Sequence, residues 1–378
     1  MGAIEGAPQR RSLRDQAISL LIQFALFVII FGWLLPKFID YQEVWDAIQE
    51  LTWWEFLILL AIGIARIPTE AMIYRALLPG LHMRVGTEAY LSQNFAGTFL
   101  PPPTSSIVQY AYFRSDAFEE RPALIGAVGS FIFPSAGRMA MPIVALVFLT
   151  ITGYGNPEAF WIAAVSVAVL LIAAVVIWLV GRSDRSARWV GDQSGRLISA
   201  VLAIFRRKPV TCVGDMFVSF RMHTYAIVKQ RWLAGSIAVT INLFVTYILL
   251  LVSLRFVGLS QSDISASQIF AALSVGFFAG AVLPLTSSGL GTVDAIIISA
   301  LTAMAGDSNS SLCAAGEFVW RIFYSILAVP VGVFTLNRFR RKNGSLLTEA
   351  WHAAGSMGEA FDDGDTGEPT GVAAPSPP

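Results

Sequence analysis

A chain of 378 residues with 55% hydrophobic and 14% charged residues and a mean hydropathy of +0.63 is too apolar for a soluble domain of that size, so a polytopic membrane protein is expected. Its 26 basic and 26 acidic residues cancel, which gives no global field for nucleic acid. Cys212 and Cys313 lie far apart and His82, His223 and His352 are scattered, so the spacing fits no metal site, no disulfide and no cofactor.

In chain order, 1–16 carries Arg10, Arg11 and Arg14 and reads as a short cytoplasmic N-terminus. The apolar run 17–39 is longer than a signal-peptide core and has no small-x-small cleavage site, so it reads as an uncleaved first span. Asp40, Glu43, Asp46 and Glu50 then form an acidic rim, with Trp45, Trp53 and Trp54 where an outer aromatic belt would lie. Further spans of the ~20 residues needed to cross hydrocarbon are expected at 53–78, 122–152, 159–181, 232–256 and 313–337. Two more apolar segments, 87–112 and 268–305, are interrupted midway by Pro101–Pro103 and by Pro284–Gly291. Between 182 and 231, Trp189, Leu197, Val201 and Phe205 recur near helical spacing among arginines. That segment reads either as an amphipathic helix held on the inner leaflet by anionic lipid or as a solvated connector. After Asn343 the periodicity is lost among Gly, Ser, Asp, Glu and Pro, and 343–378 reads as a disordered cytoplasmic tail.

Basic residues set the orientation. Segment 182–231 has ten Lys or Arg, the N-terminus three and 338–342 four, whereas loops 40–52, 153–158, 257–267 and 306–312 have none. Lys37 and Arg255 are the nearby exceptions. Both termini are therefore expected in the cytoplasm of a cell with a bacterial-type plasma membrane. The charge signs then agree only if each broken segment leaves by the face it entered, the two from opposite faces. The expected fold is all-α, with six full spans plus two re-entrant hairpins, or up to eight spans if the hairpins cross, in a transmembrane domain over 17–342.

The two interruptions resemble each other. FAGTFLPPPTSS at 95–106 matches FAGAVLPLTSS at 278–288, with Phe, Ala, Gly, Leu and Pro identical at an offset of 183; the same offset carries Arg138 onto Arg321. Copies entered from opposite faces would be inverted repeats, a plan in which broken helices build a substrate site near the bilayer midplane. Pro101 and Pro284 are expected to end the incoming half-helices. Ser105 and Ser106 with Thr104, and Thr286, Ser287 and Ser288, would cap the outgoing ones, whose free N–H groups favour an anion. Gly289 and Gly291 would allow close backbone approach, and Asp294 would lie about two turns beyond the break.

Charges inside apolar spans are costly and point to pairing or function. Arg66 with Glu70 and Glu317 with Arg321 have i,i+4 spacing, for which local pairing is the simplest account. Arg75, near a span end, would snorkel. Arg138 has no acid within two turns and so calls for a distant partner such as Asp294, or for a ligand phosphate.

In Pro284, Ser288, Gly289, Leu290, Gly291 and Asp294, followed later by Arg321 and Tyr324, the chain resembles the flippase-like family typified by the transmembrane domain of bacterial lysylphosphatidylglycerol synthases. The resemblance covers roughly 15–340. It departs from the family where Ser287 and Ser288 stand for Pro and Gly, Asp294 for Glu, and Ser105, Ser106 and Gln109 for Gly, Glu and Arg. It implies translocation of an anionic or phosphate-bearing lipid, a phospholipid or a polyprenyl-phosphate-linked headgroup, between leaflets of the cell envelope membrane. Membrane lipids would be the main partner, and a homo-oligomer or an envelope glycosyltransferase remains open as another. Three other readings stand beside it: an ion-coupled transporter of a small anion, a membrane-embedded lipid-modifying enzyme, and a scaffold for glycosyltransferases. The enzyme reading is disfavoured because no intramembrane His, metal-ligand cluster or nucleophile–base pair is visible in the sequence.

Overall fold

The computed structural model describes residues 51–99, 104–154, 213–282 and 291–359, with isolated positions at 46–50 and 161–186. The expected span 17–39, almost all of 159–181, most of 182–231, and Pro101, Pro284, Thr286, Ser287, Ser288 and Gly289 lie outside the described residues. Two compact units are distinguished, one of Gln9–Val175 with Ala226–Ala350, the other of Met1–Pro8, Val176–Tyr225 and Trp351–Pro378. The first contains the apolar helices.

Helices are the only regular structure among the described residues: α1 (Trp53–Leu77), α2 (Met83–Phe99), α3 (Thr104–Ser115), α4 (Glu120–Ile151), α5 (Val213–Phe256), α6 (Ala266–Val282), α7 (Thr292–Ala305), α8 (Ser310–Arg321) and α9 (Ala328–Glu359). Four stretches are long and apolar enough to cross a membrane: Trp53–Leu77, Pro122–Ile151, Arg231–Phe256 and Asp307–Ala350. They correspond to four of the six expected spans, and the chain is a helical membrane protein. α1 starts at Thr52, whose N–H donates to the Glu55 carboxylate at 2.8 Å, and Trp53 and Trp54 stay exposed beside this start. Pro134 and Pro142 lie inside α4 without ending it.

Each interrupted segment is a pair of short helices that run back along each other. In the first, the Ser92 and Tyr112 hydroxyls meet at 2.9 Å, and nearer the break Gly97 faces Ser105. Partners 92 with 112 and 97 with 105 move in opposite senses, so α2 and α3 are antiparallel. In the second, Gly276 packs on Ile297 and Gly280 on Val293, which makes α6 and α7 antiparallel as well.

α7 begins later than the hydroxyl run suggests. It starts at Thr292, with Gly291 at a φ of 85° that a residue with a Cβ adopts only under strain. Asp294 is thus in the first turn, not two turns beyond the break, and accepts the Gly291 N–H at 2.8 Å. In the first hairpin the helix does begin at Thr104, with Ser105 and Ser106 in its first turn.

Between α8 and α9, Ile322–Ile326 forms a π-helical turn in which the Leu327 N–H reaches the Ile322 carbonyl at 2.8 Å. Pro330 lies just beyond and has no N–H to continue the ladder, a cause of local irregularity. A second difference concerns the tail. α9 runs through Asn343, where φ −132° and ψ 37° mark a kink, and continues to Glu359, so the expected disorder does not start at 343.

The main buried cluster joins α5, α6, α7 and α8 through Leu249, Leu254, Leu273, Ile297, Leu301 and Trp320. In lipid, burial of apolar side chains does not by itself bring helices together, and close backbone packing matters more. Gly332 of α9 accordingly lies directly against the Leu91 carbonyl of α2, where any Cβ would collide. Arg255, the exception in the charge count, is used locally: its guanidinium donates to the carbonyls of Leu259 at 2.8 Å, Ser260 at 2.7 Å and Ile264 at 2.7 Å. In the same loop Asp263 accepts the Ser260 N–H at 2.8 Å and its hydroxyl at 2.5 Å, which hold its carboxyl below the usual range.

Candidate functional site

Three arginines from three helices surround one group of aromatic rings. Phe277 of α6 has its ring centroid 6.2 Å from that of Trp320 and 6.3 Å from that of Tyr324, and Trp320 and Tyr324 stack at 4.5 Å. Arg138 of α4 lies over Phe277 at 5.2 Å, Arg321 over Trp320 at 4.9 Å, and Arg66 of α1 over Tyr324 at 4.2 Å. Each cation thus has a π-face, an attraction of ~2 kcal/mol or more when water is excluded. The three guanidiniums thus share one aromatic group.

Their polar partners differ. Arg66 is 1% exposed and fully engaged on both terminal nitrogens. One donates to Glu70 at 3.1 Å; the other donates to the Tyr90 hydroxyl and, at 2.6 Å, to the Tyr324 carbonyl. Its own backbone carbonyl accepts from Thr69, whose hydroxyl accepts in turn from the Asn242 amide at 2.8 Å. Arg66 therefore ties α1 to α2, α5 and the π-helical turn. That is more than the local i,i+4 pair its spacing suggests.

Arg321 pairs with Asp294, which crosses from α8 to the first turn of α7. The i,i+4 partner expected for Arg321, Glu317, is 3.8 Å away, beyond hydrogen-bond reach, and neither of its oxygens has a hydrogen-bond partner among the described residues. Glu317 is also wholly buried. A helix-start carboxylate next to a glycine outcompetes it, because Asp294 collects both the guanidinium and the Gly291 N–H.

Arg138 stands apart. It forms no ion pair with any described residue; its Nε, like those of Arg66 and Arg321, is buried without a hydrogen-bond partner among the described residues. Asp294, suggested as its distant partner, is taken by Arg321. Across the cluster, Arg66, Arg138 and Arg321 face Glu70, Asp294 and Glu317, yet only two of these acids are within bonding distance of an arginine.

Of the residues singled out from the sequence, the structure brings Arg138, Arg321, Asp294, Glu317 and Gly291 into this region. Ser105 and Ser106 are on the other hairpin, and no hydrogen bond joins them to the arginines among the described residues. Sequence reasoning had no means of adding Tyr90, Phe277 and Trp320, since an aromatic residue in an apolar span reads as filler. Gln109, which stands where the resembled family has a charge, is 1% exposed; its Oε1 accepts from Ser130 at 2.9 Å while its Nε2 has no partner among the described residues. Among the described residues no group of His, Cys, Asp and Glu could hold a metal ion.

Neither a family model nor a curated protein sequence matches this chain.

Proposed function

We propose that this protein moves an anionic, phosphate-bearing lipid between membrane leaflets, with the headgroup passing the arginine cluster while the acyl chains stay in lipid. The observation that carries the reading is Arg138: a cation inside an apolar span, next to two acid-paired arginines, with no acid of its own among the described residues. A central charge in a span costs ~2.5–3.5 kcal/mol on insertion scales, and a phosphate would offset that cost through the planar guanidinium fork. Arg321 is the second headgroup contact, released from Asp294 as the phosphate arrives. The two antiparallel helix pairs support reading the broken segments as re-entrant copies of an inverted repeat, entered from opposite faces with both termini cytoplasmic. The family resemblance of the Pro284–Asp294 region supports the same class of substrate.

The test is headgroup translocation in proteoliposomes, read by the accessibility of a fluorescent phospholipid to an external quencher. Arg138→Ala and Arg321→Ala are each expected to lower the rate at least tenfold per folded, reconstituted protein, and Arg138→Ala to insert and purify like the parent protein. Unchanged rates in both would overturn the assignment of the site.

A further inference from the structure

A groove separate from the arginine cluster lies between α1 and α5. It has a volume of about 610 Å³ and is lined by Met72, Arg75 and Ala76 of α1, Met83 at the start of α2, and Ala234, Ile237, Ala238 and Ile241 of α5. Apart from Arg75 every one of these side chains is apolar, and Met72 and Ile237 are 39% and 53% exposed on two helices long and apolar enough to cross a membrane.

The charges of the groove are all at one end. Trp54 meets Phe256 at 6.0 Å between ring centroids and Thr69 meets Asn242 at 2.8 Å, so α1 and α5 run antiparallel. Continuing that register brings Arg75 opposite Gly235, and Arg231 lies one turn further along the stripe formed by Ala234, Ala238 and Ile241. Both arginines lie on the same side of the antiparallel pair: Arg75 is in the last turn of α1, and Arg231 lies within α5, where its apolar stretch Arg231–Phe256 begins. Both are exposed, and neither forms an ion pair with a described residue. In the other direction along the helix pair lies the Asn242–Thr69 hydrogen bond, which leads to the Arg66 carbonyl.

A slot that has an apolar body and, at one end, two cations without an ion pair among the described residues is complementary to one class of molecule. We infer that the groove between α1 and α5 seats an anionic phospholipid, with its phosphate between Arg75 and Arg231 and an acyl chain along Met72, Ala238 and Ile241. Each guanidinium can offer two parallel N–H donors to phosphate oxygens, and burying each methylene of a chain contributes ~0.8 kcal/mol relative to water. The simpler role for Arg75, complementing the C-terminal end of α1 and reaching for the interface, requires neither the groove nor Arg231 and would show no preference among lipids. The proposal needs only a chain embedded in a membrane and is independent of translocation.

The experiment is native mass spectrometry of the full chain purified from vesicles of equal phosphatidylglycerol and phosphatidylcholine. The expected result is one retained lipid per chain, at least tenfold enriched in phosphatidylglycerol. R75Q/R231Q is expected to abolish the enrichment, and A238W, which fills the slot and leaves both charges, to abolish retention. A phosphatidylglycerol bearing a photoreactive acyl chain is expected to label the peptide containing Ile237 and Ile241. Equal retention of the two lipids, enrichment that survives R75Q/R231Q, or label confined to other helices would overturn the proposal. So would displacement of the lipid by millimolar glycerol phosphate, which would mean a site for a soluble anion. Because R138A leaves the groove intact, it is expected to retain the lipid fully, which separates this inference from the translocation reading.

Discussion

The two helix hairpins begin from nearly the same sequence and stabilise their interiors in opposite ways. In α2–α3 the buried polar groups are neutral: the Ser92 hydroxyl meets both Tyr112 and Thr335 at 2.9 Å, Tyr112 donates to the Thr335 carbonyl at 3.0 Å, and Gln109 bonds Ser130. In α6–α7 the interior contact is ionic, with Asp294 holding Arg321 and capping its own helix through Gly291. A hydroxyl network loses little when one member goes, since a neutral hydrogen bond is worth ~0.5–1.5 kcal/mol net. An ion pair out of water is all or nothing, because removal of one partner leaves a bare charge that costs several kcal/mol. The first hairpin is therefore held by several individually weak contacts, whereas the second depends on one buried ion pair.

Asp294→Ala tests this contrast with the largest expected effect. It leaves the Arg321 guanidinium with only Glu317, at 3.8 Å, and frees the Gly291 N–H, so a destabilisation of up to ~3–5 kcal/mol is expected, measured as a fall in the thermal midpoint in detergent. Arg321→Met alone should cost a similar amount. The double variant Asp294→Leu/Arg321→Met should recover most of the loss, because a buried pair exchanged for apolar groups is often neutral. Additive losses would show that the two side chains are not coupled.

Much of the fold is legible in the sequence for a simple reason: spans are long apolar runs, and four of those expected coincide with long apolar helices of the structure. That each interrupted run would be two helices is legible too: the described helices stop at Phe99 and Val282 and resume at Thr104 and Thr292. The helix start at Thr292 is not, since hydroxyls at 286–288 and an acid at 294 are both acceptable starts, and the left-handed Gly291 decides between them. The pairing of Arg321 is hidden for a related reason. Glu317 has the better spacing along one helix, and only the packing of α7 on α8 brings Asp294 within reach. For Arg66, i,i+4 spacing revealed Glu70 but not Tyr90 or the Tyr324 carbonyl, which the π-helical turn exposes. Spacing rules see contacts along one helix, and this site is made of contacts between helices.

The smaller predictions concern the neutral hairpin. Tyr112→Phe removes two hydrogen bonds to Thr335 and Ser92 while the ring stays stacked on Phe339 at 3.9 Å. A loss of ~1–2 kcal/mol is expected, against several for Asp294→Ala in the same thermal assay. A Tyr112→Phe loss equal to that of Asp294→Ala would remove the distinction between the hairpins.

Gln109→Leu should have the smallest effect and the most informative sign. Gln109 makes one side-chain hydrogen bond, from Ser130, and leaves its buried amide nitrogen without a partner among the described residues. Ser130 also donates to the Ala127 carbonyl at 2.7 Å, so it remains satisfied without Gln109. Leucine has nearly the same shape and no group to desolvate, and replacing an incompletely bonded buried amide by such a group is neutral or slightly stabilising. A thermal midpoint equal to or above that of the parent is therefore expected. A fall as large as that of Tyr112→Phe would mean that the Gln109 nitrogen bonds to something in the folded protein. The break at 101–103, one to two turns away along α3, would then be where to look for it.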